Sequence, residues 1–334
     1  MKLRKIYALI ILIVIMMSMF CGCNKKVYIT TGLKANEIFK ISGNPCSAGQ
    51  IMLILMAEKN RYEADFGSDI WEYKNDSIKT NLEDEIKAKV KTQLSDLKTI
   101  ELLSKDYKIL LSDEEKELIK TAANEYYLTL TEDEIELLNV TEEDVQQLYT
   151  SFCIADRVYY KLTKDIKLEV SDEQARVIKC KYVYIDLSEG KDNAKKKADT
   201  VHELLVAGND IGAVAKQYSS SEEVDIQFSR NTVHSGFEEK LYSLKQGEIS
   251  DVVENENGYY IFQCVSDYLE TETAINKEKI VEDYKKEQYL KIYKPFEAEQ
   301  TFEFNNKFWD KIKLEKYKEV KTKNLYEVYN SYFK

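Results

Sequence analysis

"FSRNTVHSGFEEKLYSLKQGEIS", Phe228 to Ser250, sets a turn, a helix start, a short amphipathic helix and the lead-in to a strand within one span. The chain has only two prolines and eleven glycines in 334 residues. Long helices with few breaks are therefore expected elsewhere, and such dense punctuation marks a different kind of module. Upstream, "RVIKCKYVYID" (176–186) has the period-two pattern of a strand. "NAKKKADTVHELLVAGND" (193–210) follows as a helix, with Ala194, Ala198, Val201 and Leu205 inward and Gly208 ending it. "IGAVAKQYS" (211–219) reads as a second short helix, and "GYYIFQCVSD" (258–267), beyond the opening stretch, as a strand. The order strand, helix, helix, turn, helix, strand predicts a small α+β domain with an antiparallel sheet.

The flanks read differently. From Ile38 to about Thr163 the pattern is helical. Ile51, Leu55, Glu58 and Tyr62 share one helical face closed by Gly67, and Leu82, Ile86, Val90, Leu94 and Leu97 share another. Ser112 with Glu115, and Thr141 with Asp144, have the spacing of capping boxes. The acidic run "LTEDEIELLNVTEED" (130–144) between them reads as a solvated face. Such helices, joined by short loops, must pack on one another to bury their stripes. After Tyr268 helical spacing returns at Ile275, Ile280, Tyr284 and Tyr289, with Pro295 expected to kink or interrupt the helix. The aromatic-rich segments beyond it are expected to pack back on the N-terminal helices.

Composition narrows the function. Hydrophobic content of 44% and charged content of 32% describe a folded globular chain. A net charge of −11 argues against nucleic-acid binding, which needs clustered Lys and Arg. The N-terminus, "MKLRKIYALIILIVIMMSMFCGCNKK", begins with the cations Lys2, Arg4 and Lys5, followed by an apolar run of about 15 residues, suited to a secretory signal and short for a membrane span. An uncleaved anchor and a buried helix are the other two readings. Cys46, Cys153, Cys180 and Cys264 lack the paired spacing of a zinc site and read as small buried thiols, although an exported chain permits a disulfide. No phosphate loop, metal-binding motif or cofactor fingerprint is present, and no cofactor is expected.

Three groups of residues carry a family resemblance. Gly22-Cys23 at the end of the apolar run resembles a bacterial lipobox, with Phe20 where Leu is commoner; this implies cleavage before Cys23 and lipidation of its thiol. Phe228-Ser229-Arg230, Phe237-Glu238 and Leu244-Lys245-Gln246-Gly247-Glu248-Ile249-Ser250, with Gly258-Tyr-Tyr-Ile-Phe and "LLVAGNDIGAVAKQYS", resemble the parvulin-type peptidyl-prolyl cis-trans isomerase (rotamase) domain. The whole layout resembles the extracytoplasmic foldases of the PrsA and SurA type. The resemblance implies an α+β protein: a mostly helical N-terminal chaperone-like domain completed by the C-terminal helical tail, with an inserted small parvulin-like antiparallel sheet domain. The boundaries are a lipoprotein signal peptide at 1–23, the chaperone domain at 24–170, the parvulin-like domain at 171–268 and the returning tail at 269–334. It implies a lipoprotein anchored outside the cell membrane, with unfolded or partly folded exported polypeptides as partners.

An isomerase of this kind needs an apolar slot for the proline ring and surroundings that favour the twisted imide over the planar one. By the resemblance the slot is Ile226, Val233 and Phe237, with Val233 where Met is usual. The family's two strand histidines correspond to Tyr182 and Tyr260, and the facing Cys or Asp to Ser221. The segment Glu223 to Gln227 departs from the family's Gly-Gly-Asp-Leu-Gly, the loop ahead of it is shorter, and Asn255 and Asn257 replace Thr and Ser. Tyrosine hydroxyls donate and accept hydrogen bonds but lack imidazole tautomers. Two outcomes are open: an isomerase, or a catalytically inactive peptide-binding or assembly lipoprotein with one dedicated partner. Without the resemblance, Phe237 reads as core beneath Leu241 and Leu244, and the two tyrosines as fillers of a sheet face. His202 and His234 read as surface or structural residues.

Overall fold

The structure is a computed structural model and describes residues 27–28, 32–72, 81–230 and 238–334. Its strands in chain order are β1 (Val27–Tyr28), β2 (Glu37–Ile41), β3 (Asn44–Ser47), β4 (Val177–Asp186), β5 (Asp225–Ser229), β6 (Val253–Asn255), β7 (Gly258–Ser266) and β8 (Phe302–Phe304). They form two separate sheets, ordered β1-β8-β2-β3 and β5-β4-β7-β6. The chain divides accordingly into two units. Asp165–Gln288 is one, and the segments 1–164 and 289–334 together make the other.

In the helical unit, Ser47 ends β3 and caps the helix Ala48–Phe66. Its hydroxyl accepts from Gln50 N at 3.1 Å, while Gln50 Oε1 accepts from Ser47 N. The same hydroxyl donates to Asp144 at 2.6 Å, and Asp144 itself caps the helix Glu142–Thr163 through Thr141. This locks two helix starts together. It leaves no room between them: a Cβ on Gly49 would lie 2.5 Å from the Asp144 carboxyl. The helix that begins here is buried from Gly49 through Asn60 without a break, so it is the centre of the unit. The polar residues at its far end are all partnered. Glu58 pairs with Arg61 and Lys89, Lys59 with Glu63, and Asn60 donates to the Thr322 carbonyl.

Around it pack the helices Leu82–Asp106, Asp113–Tyr127 and Glu142–Thr163, and the C-terminal segment completes the core. Tyr149 donates to the Leu325 carbonyl at 2.7 Å, and Tyr329 to Asp156 at 3.1 Å. Tyr329 also packs on the rings of Tyr149 and Phe152, at 5.4 and 5.3 Å between centroids. On another side, Tyr293 donates to Asp96 at 2.6 Å and stacks on Tyr289. In Tyr149, Tyr293 and Tyr329 a buried ring and a bonded hydroxyl go together.

Three sequence expectations need correction. The helical pattern does not begin at Ile38: Ile38, Phe39 and Ile41 lie in β2, which pairs with β3 and with β8. The partner that makes this a strand lies some 260 positions along the chain, and Phe39 reaches Phe302 at 5.6 Å. Pro295 does not interrupt its helix, which runs from Glu270 to Glu299. Proline removes one ladder bond, but buried Tyr289 and Tyr293 before it and the Lys294–Glu297 pair across it hold the last turns. The acidic run is not merely a solvated face. Thr131 caps a short helix, Glu132–Leu138, whose Glu134 is buried. Glu134 accepts from Lys321 N, Thr322 N and the Thr322 hydroxyl, pinning the returning chain.

In the sheet unit, β4 and β7 form the central antiparallel pair, with Tyr182 opposite Phe262 and Tyr184 opposite Tyr260. Two short strands, β5 and β6, extend it on either side; neither shows a period-two run long enough to be seen in the sequence. One face carries Val183, Ile185, Tyr259 and Ile261 against the helices Lys191–Val206 and Ile211–Tyr218. Residues 165–288 also include the start of the Glu270–Glu299 helix, which Thr273 and Asn276 bond to Val177 N and the Ala175 carbonyl.

Two measurements check this account. Gly49→Ala gains helix propensity, yet should lower stability by about 1–2 kcal/mol in denaturant unfolding, because Asp144 is held by three other bonds and does not yield freely. An unchanged midpoint would show that the two helix starts are not locked. For Glu134, burial alone would raise the carboxyl, but its hydrogen bonds hold it below the ordinary 4.5. A lowered folded value stabilises above the unfolded one and is lost as pH falls through the folded one. Glu134→Gln should therefore lower the melting temperature at pH 7 and flatten its fall below pH 4.5; parallel profiles for the two proteins would refute the assignment.

Candidate functional site

The other face of the second sheet is aromatic. Strand alternation brings Ile178, Cys180, Tyr182 and Tyr184 of β4 to the same side as Tyr260, Phe262 and Cys264 of β7. Tyr184 and Tyr260 stack at 4.6 Å, Tyr260 and Phe262 at 5.9 Å, and Phe228 of β5 meets Phe262 edge-on at 5.8 Å. Tyr182 and Tyr260 are diagonal neighbours, 6.2 Å apart. Ile226, opposite Cys180 on β5, is half-buried beside them. Leu241 and Tyr242 of the short helix Glu238–Ser243 close one end.

The rim is polar. Tyr182 and Ser221 join their hydroxyls at 3.1 Å, and either can donate. Ser221 also accepts from Glu223 N, which fixes the loop ahead of β5. Tyr184 donates to the Asn257 carbonyl at 2.7 Å, so its hydroxyl is committed. Asn255 Oδ1 accepts from Asn257 N and Gly258 N and so builds the tight β6–β7 turn. Gly258 is obligatory there, since a Cβ would lie 2.2 Å from the Ile185 carbonyl. At the other end, the Arg176 and Arg230 guanidinium groups lie 5.1 and 4.6 Å from the Tyr242 ring centre, and Glu173 pairs with both. Tyr242 in turn donates to the Phe228 carbonyl at 2.9 Å. Burial, with Glu238 nearby, pushes its phenol well above the usual range.

Of the residues singled out from the sequence, Tyr182, Tyr260, Ser221 and Ile226 are brought to this one face. Val233, Phe237 and Cys23 lie outside the described residues. Tyr184, Phe228 and Phe262 were not anticipated, although the period-two spacing of Tyr182 with Tyr184 and Tyr260 with Phe262 carried the signal. The segment Glu223 to Gln227 passes into β5 at Asp225, where Cys180 and Lys181 of β4 offer it a strand to pair with. The Arg176–Tyr242–Arg230 cluster had no local signal, since its members lie on three separate segments.

This architecture is of the parvulin class: the PPIC-type PPIase (rotamase) domain matches residues 177–266. The chain is 31% identical over 204 residues to foldase protein PrsA of Geobacillus kaustophilus (strain HTA426), covering 58% of this chain and 69% of that protein. It is 23% identical over 320 residues to foldase protein PrsA of Clostridium tetani (strain Massachusetts / E88), covering 87% and 91%. A crystal structure of the peptidylprolyl isomerase PrsA from Bacillus cereus aligns with 78% of this chain and 98% of its own, at 18% identity and a TM-score of 0.36. The chain belongs to the PrsA foldase family.

On this same face, Cys180 and Cys264 sit directly opposite one another as free, buried thiols. Cys264 directs its backbone N–H to Glu248 and its carbonyl to Gly247, away from β4, so the pair is a non-hydrogen-bonded one with side chains close together. Burial pushes the Cys180 thiol up to about 12. Thiolate is scarce at neutral pH, and reactivity follows thiolate. Alkylation followed by mass spectrometry should therefore label Cys46, Cys153, Cys180 and Cys264 slowly in the folded chain and rapidly in denaturant. Fast labelling of Cys180 in the native state would show that the face does not cover it.

Proposed function

We propose that this chain is an extracytoplasmic foldase for exported polypeptides, tethered by a lipid on Cys23, and that its sheet unit takes Xaa-Pro segments on the Tyr182–Tyr260–Phe262 face. The observation that carries the reading is an apolar, aromatic surface with the Tyr182–Ser221 hydroxyl pair at its rim. Rotation about the imide bond must cross a barrier of ~18–20 kcal/mol set by amide resonance. The twisted state loses that resonance and its nitrogen gains a lone pair. Apolar surroundings disfavour the more polar planar imide, aromatic rings hold the proline ring, and a hydroxyl aimed at the nitrogen stabilises the lone pair. No bond is made or broken, so no nucleophile, metal or cofactor enters. Val233 and Phe237 complete the slot in this reading. The helical unit holds unfolded clients while the sheet unit acts on their prolines.

A second reading has one specific observation behind it. The Tyr184 hydroxyl is already committed to Asn257, and Tyr182 to Ser221, so both stand satisfied without a ligand. On that reading the face binds proline segments without accelerating their isomerisation, in many clients or in one dedicated partner.

A prolyl-isomerisation assay with the full chain and an Xaa-Pro peptide separates the two. Catalysis predicts acceleration over the uncatalysed tens to hundreds of seconds, and about a hundredfold loss in Tyr182→Phe, the lower end of what one stabilising donor contributes. Binding without acceleration supports the second reading. The absence of both binding and acceleration refutes the assignment of this face. Suppressed aggregation of several unrelated unfolded proteins supports a general foldase, whereas one strongly retained species and no suppression supports a dedicated partner.

A further inference from the structure

The helical unit contains an open cleft of about 970 Å³ at the C-terminal end of the Leu82–Asp106 helix. Its floor is apolar: Ile119 is buried, and Ile109, Leu111 and Ile154 are half-buried. At the mouth Leu110 is 87% exposed, an apolar side chain left in water beside an apolar cavity. Gln146 and Thr150 stand on the wall with the hydrogen-bonding groups that a peptide backbone uses.

The rim is basic on a chain of net charge −11. Lys98 is buried and spent on Glu101 and Ser151, and Lys116 pairs with Asp113. Lys105 and Lys108 are exposed, and among the described residues neither has an ion-pair partner. The backbone at Lys108 is the independent sign. Ile109 N donates to the Ser104 carbonyl and Lys108 N to the Lys105 carbonyl, the pattern that closes a helix with a left-handed residue after its cap. That residue is normally glycine, and here Lys108 adopts it at φ 52°. A lysine thus stands where glycine is easier, and the conformation fixes its place on the edge of the cavity.

We propose that this cleft binds an extended stretch of unfolded client in which apolar residues alternate with aspartate or glutamate. The apolar side chains enter the floor, and the carboxylates meet Lys105 and Lys108. The acidic remainder of the surface repels the same segment and so directs it here. This rests on the foldase reading and specifies which client segments the helical unit prefers.

The test uses the full chain, a fluorescent decapeptide of alternating Leu and Asp, and its Leu–Lys and Leu–Ser counterparts. The Leu–Asp peptide should bind more tightly than the other two and weaken with salt. Lys108→Gly should reduce its affinity by about fivefold, as one exposed ion pair allows, leave Leu–Ser binding unchanged, and hold or raise the melting temperature because glycine relieves the backbone. Lys105→Gln should act in the same direction. Equal binding of Leu–Asp and Leu–Lys, or unchanged Leu–Asp affinity in both variants, overturns the proposal. So does displacement of the peptide by decanoate with no preference for Asp over Lys peptides, which would mark a site for small amphiphiles. Aggregation suppression by the unmutated chain, on a client lacking acidic-apolar stretches, tests the foldase reading separately. If suppression holds while the peptide preference fails, only the cleft assignment falls.

Discussion

The helical unit is closed by tyrosines whose rings are buried and whose hydroxyls are not left unpaired. Tyr149 reaches the Leu325 carbonyl, Tyr293 reaches Asp96 and Tyr329 reaches Asp156. Each bond joins positions between 173 and 197 residues apart, so each depends on the chain returning after the sheet unit. A leucine in these places would fill the space and leave a buried carboxylate or carbonyl unbonded; a serine would satisfy the acceptor and leave a hole. Tyrosine does both at once. The loop-closure cost grows only with the logarithm of the length between, and the rings and bonds offset it where the ends meet.

The same residue type does different work in the sheet unit. Tyr182, Tyr184 and Tyr260 are not enclosed by a returning chain but laid side by side on one face, with Phe262 and Phe228, by strand alternation. Their hydroxyls collect at the rim, where Ser221 and the Asn257 carbonyl meet them. The rest of this parvulin-class face is aromatic and aliphatic, so the polar groups are confined to its edge.

Charge is arranged with similar economy. Buried Glu134 is given donors by residues 321 and 322, and half-buried Asp144 by Ser47 and Thr141. The buried Lys59 and Lys98 likewise have carboxylate partners, Glu63 and Glu101.

Local information in the sequence determined the helices, their caps and the two long strands. Ser112 with Glu115 and Thr141 with Asp144 act within four residues, and β4 and β7 alternate within ten, so a short window contains the whole cause. The motif around Phe228 to Ser250 also determined the class of the sheet unit. Tertiary structure alone decided that Ile38 to Ile41 is a strand, that the helix passes through Pro295, that Glu134 faces inward and that Tyr184, Phe228 and Phe262 join the site. In each case the deciding partner lies on another segment. Pairing, burial and a shared face are properties of two stretches of chain at once, and neither stretch states them by itself.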